Sequence, residues 1–288
     1  MNKNSKEYKC YDNILIRVMK IYYFIITLFV ANLLFAEYDN LELIRYKAID
    51  ISLIDTSELD TKLKDFLYKY YHKNYSGNEY IKTVNSMQFF GSYSLNGEKI
   101  GTIKLIKKRP NKYKSHIKKK DGSEQIIVYD GNSFQKSETN DSDLPTQWQA
   151  LDINAPENLW IHYDQLFDSV LLNPKDPNKK ISLGLAYMED GQVIQPITIK
   201  LKNEIKITNF VIIRDHLVKR ALIEFNHPED PKYNSYTINY ENYESVNGIL
   251  LPKKITAMLS EETIIVTEFS DVQFNLGVSD FFFKAQTL

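Results

Sequence analysis

The sequence predicts a mainly β protein in which helices accompany a large antiparallel sheet that curls. Three observations predict this fold class. Short strand-like runs follow one another from about residue 87 to the end of the chain, with turn residues between them. An amphipathic helical pattern precedes these runs over residues 58–73, and a second helical pattern interrupts them within residues 146–172.

Residues 58–73 are predicted to form the first helix of the folded domain. Their large apolar side chains recur mainly at spacings of three and four, which places them on one helical face. Ser57 or Asp60 can cap the first turn, because either side chain can accept hydrogen bonds from exposed backbone amides. We expect this face to lie on a flat apolar surface. Its members are Leu59, Leu63, Phe66, Leu67, Tyr70 and Tyr71.

The runs after residue 87 are predicted to form eleven or twelve strands. Connections such as Asn96-Gly97, Asp121-Gly122 and Asp190-Gly191 are typical of short hairpins. Consecutive hairpins produce an antiparallel meander, and a sheet of so many strands is expected to curl.

Residues 138–180 interrupt the strand series. A polar loop opens this stretch, and a segment that contains both tryptophans of the chain follows it. Pro156 suits the first turn of a helix, and Trp160, Tyr163 and Phe167 follow at helical spacing, with Leu159 widening the same face. Such a helical segment between the two halves of a curled sheet is positioned to cover its concave side. We call residues 146–172 the lid segment.

The N-terminus is predicted to be a signal peptide over residues 1–36. Lys20 is followed by sixteen residues without a charge, which end at Ala36 just before an acidic residue. At about 1.5 Å per residue this stretch spans roughly 24 Å, less than the ~30 Å hydrocarbon core of a bilayer. We therefore expect export with cleavage near Ala36, and a permanent membrane anchor is the alternative.

The segments on either side of the apolar stretch have separate interpretations. Residues 1–18 are interpreted as an upstream start assigned in error, because Met19-Lys20 alone begins a complete export signal. The only cysteine, Cys10, lies in that segment, so the exported chain needs no disulfide. Residues 37–57 form an N-terminal extension, and residues 58–288 are predicted to be one domain, since no repeat or linker divides them.

Composition and motifs argue against two classes of function. The 36 basic residues nearly balance the 37 acidic residues, so no global positive charge favours nucleic acid. The five histidines are scattered, and no close metal spacing, phosphate-binding glycine loop or nucleophile elbow is present. We therefore expect a non-enzymatic protein with no catalytic residue, metal site or cofactor. An exported hydrolase whose residues meet only in the folded chain stays open as an alternative.

The basic run over residues 107–120 has two interpretations of its own. Its lysines alternate with apolar residues, which indicates a hairpin with one solvated face. The alternative is docking on an acidic partner or an anionic membrane surface.

Several segments, taken in order, resemble the LolA-like family of periplasmic lipoprotein carriers and outer-membrane lipoprotein-sorting proteins. The first is the Arg109-Pro110-Asn111 turn within KKRPNKYKSHI. It is followed by QIIVYDGNSF, in which a strand ends at Asp130-Gly131. The closing segments YESVNGILLPKKI and VQFNLGVSDFFF add to the similarity. The resemblance runs from about residue 59 to the C-terminus.

The resemblance implies an incomplete, half-open antiparallel β-barrel of about 11 strands with a helical lid. Its apolar cavity would carry lipoprotein acyl chains, or another apolar ligand, through the periplasm to the outer membrane. The implied partners are the acylated cargo and a membrane-associated donor and acceptor, with the carrier itself a monomer. A structural or interaction module on the same scaffold is the alternative, because a fold does not fix a function.

The resemblance also implies roles for individual residues. Arg109 matches the position of an arginine that hydrogen-bonds the lid and holds the empty cavity shut, a role that suits the five fixed donors of a guanidinium. Pro110, Asn111, Asp130 and Gly131 belong to the motif itself. The residues of the lid segment expected to contact cargo are Trp148, Leu151, Leu159, Trp160, Tyr163 and Phe167.

Overall fold

One antiparallel sheet of fourteen strands runs through the described part of the chain. The computed structural model describes residues 55–75, 84–109, 111–139, 147–152, 171–201, 205–225, 235–260 and 263–285. The predicted signal peptide and most of the N-terminal extension lie outside the described residues. Within the described residues, no helix combines the length and the apolar character needed to cross a membrane.

The strands follow one helix in the sequence, α1 (Thr61–Asn74). Their bounds are β1 (Ser86–Leu95), β2 (Glu98–Lys108), β3 (Lys112–Lys119), β4 (Glu124–Tyr129), β5 (Phe134–Thr139), β6 (Trp148–Ala150), β7 (Lys179–Leu183), β8 (Tyr187–Glu189), β9 (Gln192–Leu201), β10 (Lys206–Ile212), β11 (Leu217–Glu224), β12 (Ser235–Val246), β13 (Ile249–Ser260) and β14 (Thr263–Phe274).

The strand order places the first and last strands side by side. It runs β6-β5-β4-β3-β2-β1-β14-β13-β12-β11-β10-β9-β7, and β8 pairs with β9 beyond the end of β7. Strands β6 and β7 are not paired with each other within the described residues, so the sheet is open between them. This open antiparallel sheet with one helix confirms the predicted half-open barrel architecture.

The strand count exceeds the predicted eleven or twelve for two local reasons. Residues 181–188, a single strand-like run in the sequence, are divided between β7 and β8, because the backbone leaves the ladder at residues 184–186. There the Gly184 amide donates to the Pro196 carbonyl at 2.9 Å and the pairing resumes at Tyr187. The other addition is β6, which lies within the lid segment.

Helix α1 begins where one of the two predicted caps places it. The Asp60 carboxylate accepts hydrogen bonds from the backbone amides of Lys62 at 3.0 Å and Leu63 at 3.4 Å. The predicted apolar face is buried, apart from Leu59, which is partly buried against the same core. At the other end, Asn74 Nδ2 donates to the His216 carbonyl in the β10–β11 turn at 2.7 Å. The helix is therefore fixed to the sheet by apolar packing and by a buried hydrogen bond.

The beginning of the lid segment, ahead of the helix predicted from Pro156, is a strand. Residues 148–150 form the edge strand β6, in which Trp148 pairs with Ser137 of β5. Three residues are too few to show a periodicity, and the helical spacing further along the segment does not extend back to them. Leu159, Trp160, Tyr163 and Phe167 lie outside the described residues.

The outer face of the β2–β3 hairpin carries the C-terminal segment of the chain. Lys108 Nζ contacts Asp280 Oδ1 and the Val278 carbonyl, both at 2.7 Å, and Lys112 pairs with the same carboxylate. Lys108 and then Lys112 hold the pKa of Asp280 below its usual value. A short 3-10 helix, Asp280–Phe283, follows, and its Phe283 is fully buried.

This arrangement corrects the expectation of a solvated hairpin face at the end near the β2–β3 turn, whereas Lys118, further along the same face, is 62% exposed. The side chains of Lys108 and Lys112 are each only 17% exposed. The cover comes from a segment about 170 residues later in the chain, which no local pattern of the basic run could reveal.

Candidate functional site

A cavity of about 460 Å³ lies on the concave face of the sheet. Its wall comes from two groups of neighbouring strands, β1–β5 and β12–β14, together with one residue that follows β6. Its volume is within the range of about 300–1,000 Å³ that is usual for small-molecule sites. The lining residues are Tyr93, Ile103, Leu105, Tyr113, Ser115, Ile117, Gln125, Ile127, Lys136, Leu151, Tyr236, Ile238, Tyr240, Ile255, Ala257, Leu259, Ile265, Thr267 and Phe269.

The cavity wall is mainly aliphatic and aromatic. Its polar groups are few, and the one charged member, Lys136, is paired with Glu138 at 2.9 Å. Neither a carboxylate nor a histidine is among the described lining residues. The described part of the chain also contains no cluster of potential metal ligands. Such a wall can shelter hydrocarbon from water, and it offers no acid–base pair for chemistry.

The period of two along each strand produces this wall. Ile103 and Leu105 alternate in β2 with Lys104 and Ile106, so only the first pair faces the cavity. Strands β12–β14 continue the surface from the other half of the sheet, because β14 pairs with β1 in the antiparallel ladder. Two parts of the chain, residues 93–151 and residues 236–269, thus meet around one cavity.

Close backbone contacts at two glycines accompany the curl around the cavity. A Cβ atom added to Gly91 would lie 2.1 Å from the Glu268 carbonyl oxygen, and one added to Gly101 would lie 1.9 Å from that of Lys118. Register shifts also occur in β1, at Phe90/Gly91 toward β14 and at Tyr93/Ser94 toward β2. Bulges and glycines of this kind bend a strand and increase its twist.

Helix α1 covers a different part of the concave surface. None of its described residues lines the cavity, although its buried face belongs to the same apolar core. Tyr240 lies near the boundary between the helix-covered part and the cavity. It lines the cavity and also interacts electrostatically with Tyr70 of the helix. The concave face is therefore filled by the protein's own side chains in one part and hollow in another.

The hydroxyl of Tyr240 is a polar group inside the cavity wall. The residue is 4% exposed, and within the described residues its hydroxyl has no hydrogen-bond partner. Burial raises the pKa of this phenol well above its usual value, so it stays protonated and can donate. A buried hydroxyl without a partner costs free energy, which a polar atom of a bound molecule could recover. No local pattern marks this residue as a cavity group, because strand pairing alone brings it to the cavity.

Arg109 lies in the turn between β2 and β3. Its Nη1 donates to the Val84 carbonyl at 2.5 Å, and its backbone amide donates to the Asn85 carbonyl at 2.9 Å. Val84 is fully buried just ahead of β1. The guanidinium therefore binds backbone at the start of the first strand, and the lid residues it was predicted to hold lie outside the described residues.

The other motif residues build two turns at the same end of the sheet. The Asp130 carboxylate accepts from the backbone amides of Asn132 and Ser133, each at 2.8 Å. Burial tends to raise the pKa of Asp130, but these hydrogen bonds outweigh it and lower the pKa. Gly131 has φ +103°, and a Cβ there would approach Asn111 Oδ1 to 2.8 Å. The motif thus fixes two adjacent turns, while Pro110 lies outside the described residues.

Of the predicted cargo-contacting residues, Leu151 is the one that the described structure places in the cavity wall. Its backbone amide donates to the Phe134 carbonyl at 2.8 Å, which extends the β5–β6 pairing by one bond. Trp148 is half-buried in β6 and is not among the lining residues. Leu151 is therefore the point at which the N-terminal part of the lid segment, residues 147–152, contributes to the cavity wall.

The second described end of the lid segment is anchored to α1. Tyr71 Oη donates to the Leu171 carbonyl at 2.7 Å, and both Leu171 and Leu172 are buried. Just beyond, Lys175 pairs with Asp55 at 2.8 Å and also contacts Ser57 Oγ. The hydrogen bond from Lys175, with those from Ser57, lowers the pKa of Asp55 to about 2. Sequence analysis missed this anchor, because the partners are about 100 residues apart.

Comparison with known proteins identifies the fold. No family model matches the sequence, and no curated protein matches it. Among solved structures, the chain is similar to a LolA superfamily protein from Nitrosomonas europaea, with a TM-score of 0.51 and 13% identity over 77% of this chain and 97% of that one. The chain thus has a LolA-like fold.

Two further solved structures are similar to the chain at slightly lower scores. One is a DUF1329 family protein from Desulfovibrio piger, with a TM-score of 0.49 and 13% identity over 77% of this chain and 97% of that one. The other is an outer membrane lipoprotein-sorting protein domain from Vibrio parahaemolyticus, with a TM-score of 0.48 and 9% identity over 76% and 94%. At these scores they add no separate argument.

Proposed function

We propose that this LolA-like protein is an exported periplasmic carrier that binds lipoprotein acyl chains, or another apolar ligand, for transfer to the outer membrane. Its role is non-catalytic. The cavity of about 460 Å³ with its apolar wall is the observation that carries the proposal. A LolA superfamily protein has a similar fold, and this similarity supports a carrier function for the present chain.

The magnitude of the hydrophobic effect makes such a carrier workable without chemistry. Each buried methylene contributes about 0.8 kcal/mol, so a tail of about fifteen methylenes gains on the order of 12 kcal/mol if fully covered. Ordering the chain and the lid offsets part of this gain. An acceptor therefore needs only a somewhat more favourable environment to take the cargo, and no covalent step is required.

In the proposed cycle, the lid segment closes the empty cavity and moves aside when cargo enters. Leu151 and Leu171, which flank the central part of the segment, are held in place by backbone pairing and by Tyr71. We assign Arg109 to the latch that stabilises the closed state. We assign cargo contact to the lid residues Trp148, Leu151, Leu159, Trp160, Tyr163 and Phe167.

One observation favours a second candidate, a structural or interaction module. Helix α1 fills part of the concave face with Phe66, Leu67 and Tyr70, so this scaffold can bury its own side chains there. If the lid segment did the same for the remaining hollow, no ligand would be needed. An exported hydrolase would require a carboxylate and a histidine in the cavity, and the described lining residues supply neither.

The experiment that separates carrier from module is ligand recovery. The mature protein is purified from periplasm, extracted with organic solvent and analysed by mass spectrometry, and the stripped protein is titrated with a fluorescent fatty acid. We expect a co-purifying lipid or saturable uptake of the probe. Recovery of no lipid together with no uptake would reject the carrier and favour the module.

A further inference from the structure

A second hollow adjoins the cavity at the end of the sheet where β1 meets β2 and β3 meets β4. Its volume is about 490 Å³, and it shares three wall residues, Tyr93, Ile117 and Gln125, with the apolar cavity. The two hollows are therefore neighbours that share part of one wall. We call the second one the vestibule. Its remaining lining residues are Leu95, Glu98, Lys99, Ile100, Lys119, Lys120 and Asp121.

The vestibule differs from the cavity in its charge. Three lysines, Lys99, Lys119 and Lys120, line it against two carboxylates, Glu98 and Asp121. Within the described residues, none of the three ammonium groups forms an ion pair within 4.0 Å. This contrasts with Lys108 and Lys112, which are bound to Asp280 on the outer face.

Two acidic groups near these lysines, Asp121 and Glu138, are engaged by other donors. Asp121 accepts from the backbone amide of Ser123 at 2.9 Å and from its hydroxyl at 2.7 Å. Glu138, which is within electrostatic reach of Lys119, is bound by Lys136 at 2.9 Å and by Gln125 at 2.5 Å. Lys119 still feels Asp121 electrostatically, but the three lysines outnumber the two carboxylates, so the vestibule keeps one net positive charge for an anion from outside the chain.

The strand register places this charge beside the cavity. Tyr93 pairs with Thr267 on one side and with Gly101 on the other, and Gly101 pairs with Lys119. Thr267 and Tyr93 line the cavity, while Lys119 lines the vestibule. Neighbouring strands are about 4.8 Å apart, so Lys119 is roughly 10 Å from Tyr93 across the sheet. A single amphiphile can span that distance.

We propose that the ligand is an amphiphile with an anionic headgroup, whose hydrocarbon tail occupies the cavity and whose carboxylate or phosphate lies among Lys99, Lys119 and Lys120. This inference deepens the proposed carrier function and rests on it. The headgroup stays partly hydrated in the open vestibule, which avoids the cost of burying a charge. Positive charge at the entrance also raises the rate at which anionic ligands arrive.

Three probes with similar twelve-carbon tails and different headgroup charges test the headgroup assignment: dodecanoate, dodecanol and dodecyltrimethylammonium. Each is titrated into the full mature chain at neutral pH, and binding is measured by calorimetry. We expect dodecanoate to bind about tenfold more tightly than dodecanol at low salt, and the cation to bind most weakly. The preference for dodecanoate should shrink as salt is added, since the lysines are exposed. Acetate alone should not compete, because it lacks the tail.

The variant Lys99→Gln/Lys119→Gln/Lys120→Gln should lose the preference for dodecanoate and keep its affinity for dodecanol. Unchanged dodecanol binding also shows that the variant is folded. The matched control, Lys62→Gln/Lys64→Gln/Lys69→Gln, removes the same charge from the exposed side of α1 and should behave as the unmodified protein does.

The outcomes separate the two proposals. Equal affinities for all three probes, or a full dodecanoate preference in the vestibule variant, would overturn the headgroup assignment and leave the carrier intact. Binding of none of the three would remove the carrier function and the headgroup assignment with it. Strong competition by acetate would show a free-anion site in place of a headgroup site.

Discussion

The hydroxyl of Tyr71 donates a hydrogen bond to the carbonyl of Leu171, 2.7 Å away and 100 residues later in the chain. Both residues are buried, so the bond is shielded from water. It joins the last helical turn of α1 to the point where the chain returns from the lid segment. The lid segment is therefore tied to the buried core at Leu171, so the lid movement that we propose would involve residues before it.

Replacing Tyr71 by Phe removes this hydrogen bond and keeps the ring. The Leu171 carbonyl loses a buried donor, and we expect the free energy of unfolding to fall by about 1 to 3 kcal/mol. Urea denaturation followed by circular dichroism measures the change. Tyr68→Phe is the control, because Tyr68 is 60% exposed and should change stability little. Equal stability of both variants and the unmodified protein would show that the bond contributes nothing.

The volume of the cavity can be tested from within β13. Ala257 lines the cavity and Met258, the next residue, points to the opposite face of the strand. We expect Ala257→Phe to occupy hollow space and to reduce uptake of a fluorescent fatty acid at least about tenfold, because the added ring displaces the tail. Met258→Phe should bind as before. Unaltered uptake by Ala257→Phe, in a protein with an unaltered circular dichroism spectrum, would place the ligand elsewhere.

Arg109 is predicted to stabilise the closed lid in addition to binding Val84. Arg109→Lys keeps the charge but loses the planar set of donors. We expect faster amide hydrogen exchange over residues 153–170 in the empty protein and faster probe association in stopped-flow fluorescence. If exchange increases only near Val84 and Asn85, Arg109 holds the start of β1 alone and the latch assignment is wrong.

The pair formed by Asp55 and Lys175 predicts a dependence of stability on pH. The pKa of Asp55 is lowered from 3.8 to about 2, so its ionised form favours the folded state. The contribution of the Asp55 carboxylate to the free energy of unfolding is complete above about pH 4 and is lost as the pH falls through about 2. We expect the stability difference between the unmodified protein and Asp55→Asn to follow this course and to be small and sensitive to salt, since the pair is exposed. A difference that does not depend on pH would exclude the ion pair as its source.

Local patterns predicted the parts of the fold that local chemistry determines. The spacing of apolar residues and the Asp60 cap predicted α1 to within a few residues at its start. Turn residues predicted the hairpins, because left-handed backbone is needed where Asn96, Gly97 and Gly122 lie, with φ of 51°, 82° and 88°. These features depend on neighbours within a few positions, which a single sequence contains.

The parts that were missed depend on residues far apart in the chain. The partners of Lys108, Tyr71 and Lys175 are 172, 100 and 120 residues away, and no periodicity encodes such pairs. Tyr240 and the vestibule lysines become a site only when β14 pairs with β1. Strand β6 is too short to carry a pattern of its own. Arg109 lies in the turn predicted for it, and Asp130 directly follows the end of β4, while the relation of the motif residues to the lid remains a prediction.

The pairing of β1 with β14 has a consequence for how the protein acquires its structure. The two strands lie at the centre of the sheet, yet among the described strands they are the first and the last to be synthesised. Until β14 has been synthesised as far as Phe274, one edge of β1 has no partner strand, and the two halves of the sheet cannot join. The central strand pair can therefore form only after nearly the whole polypeptide has been synthesised, and folding of this sheet depends on contacts between distant parts of the chain.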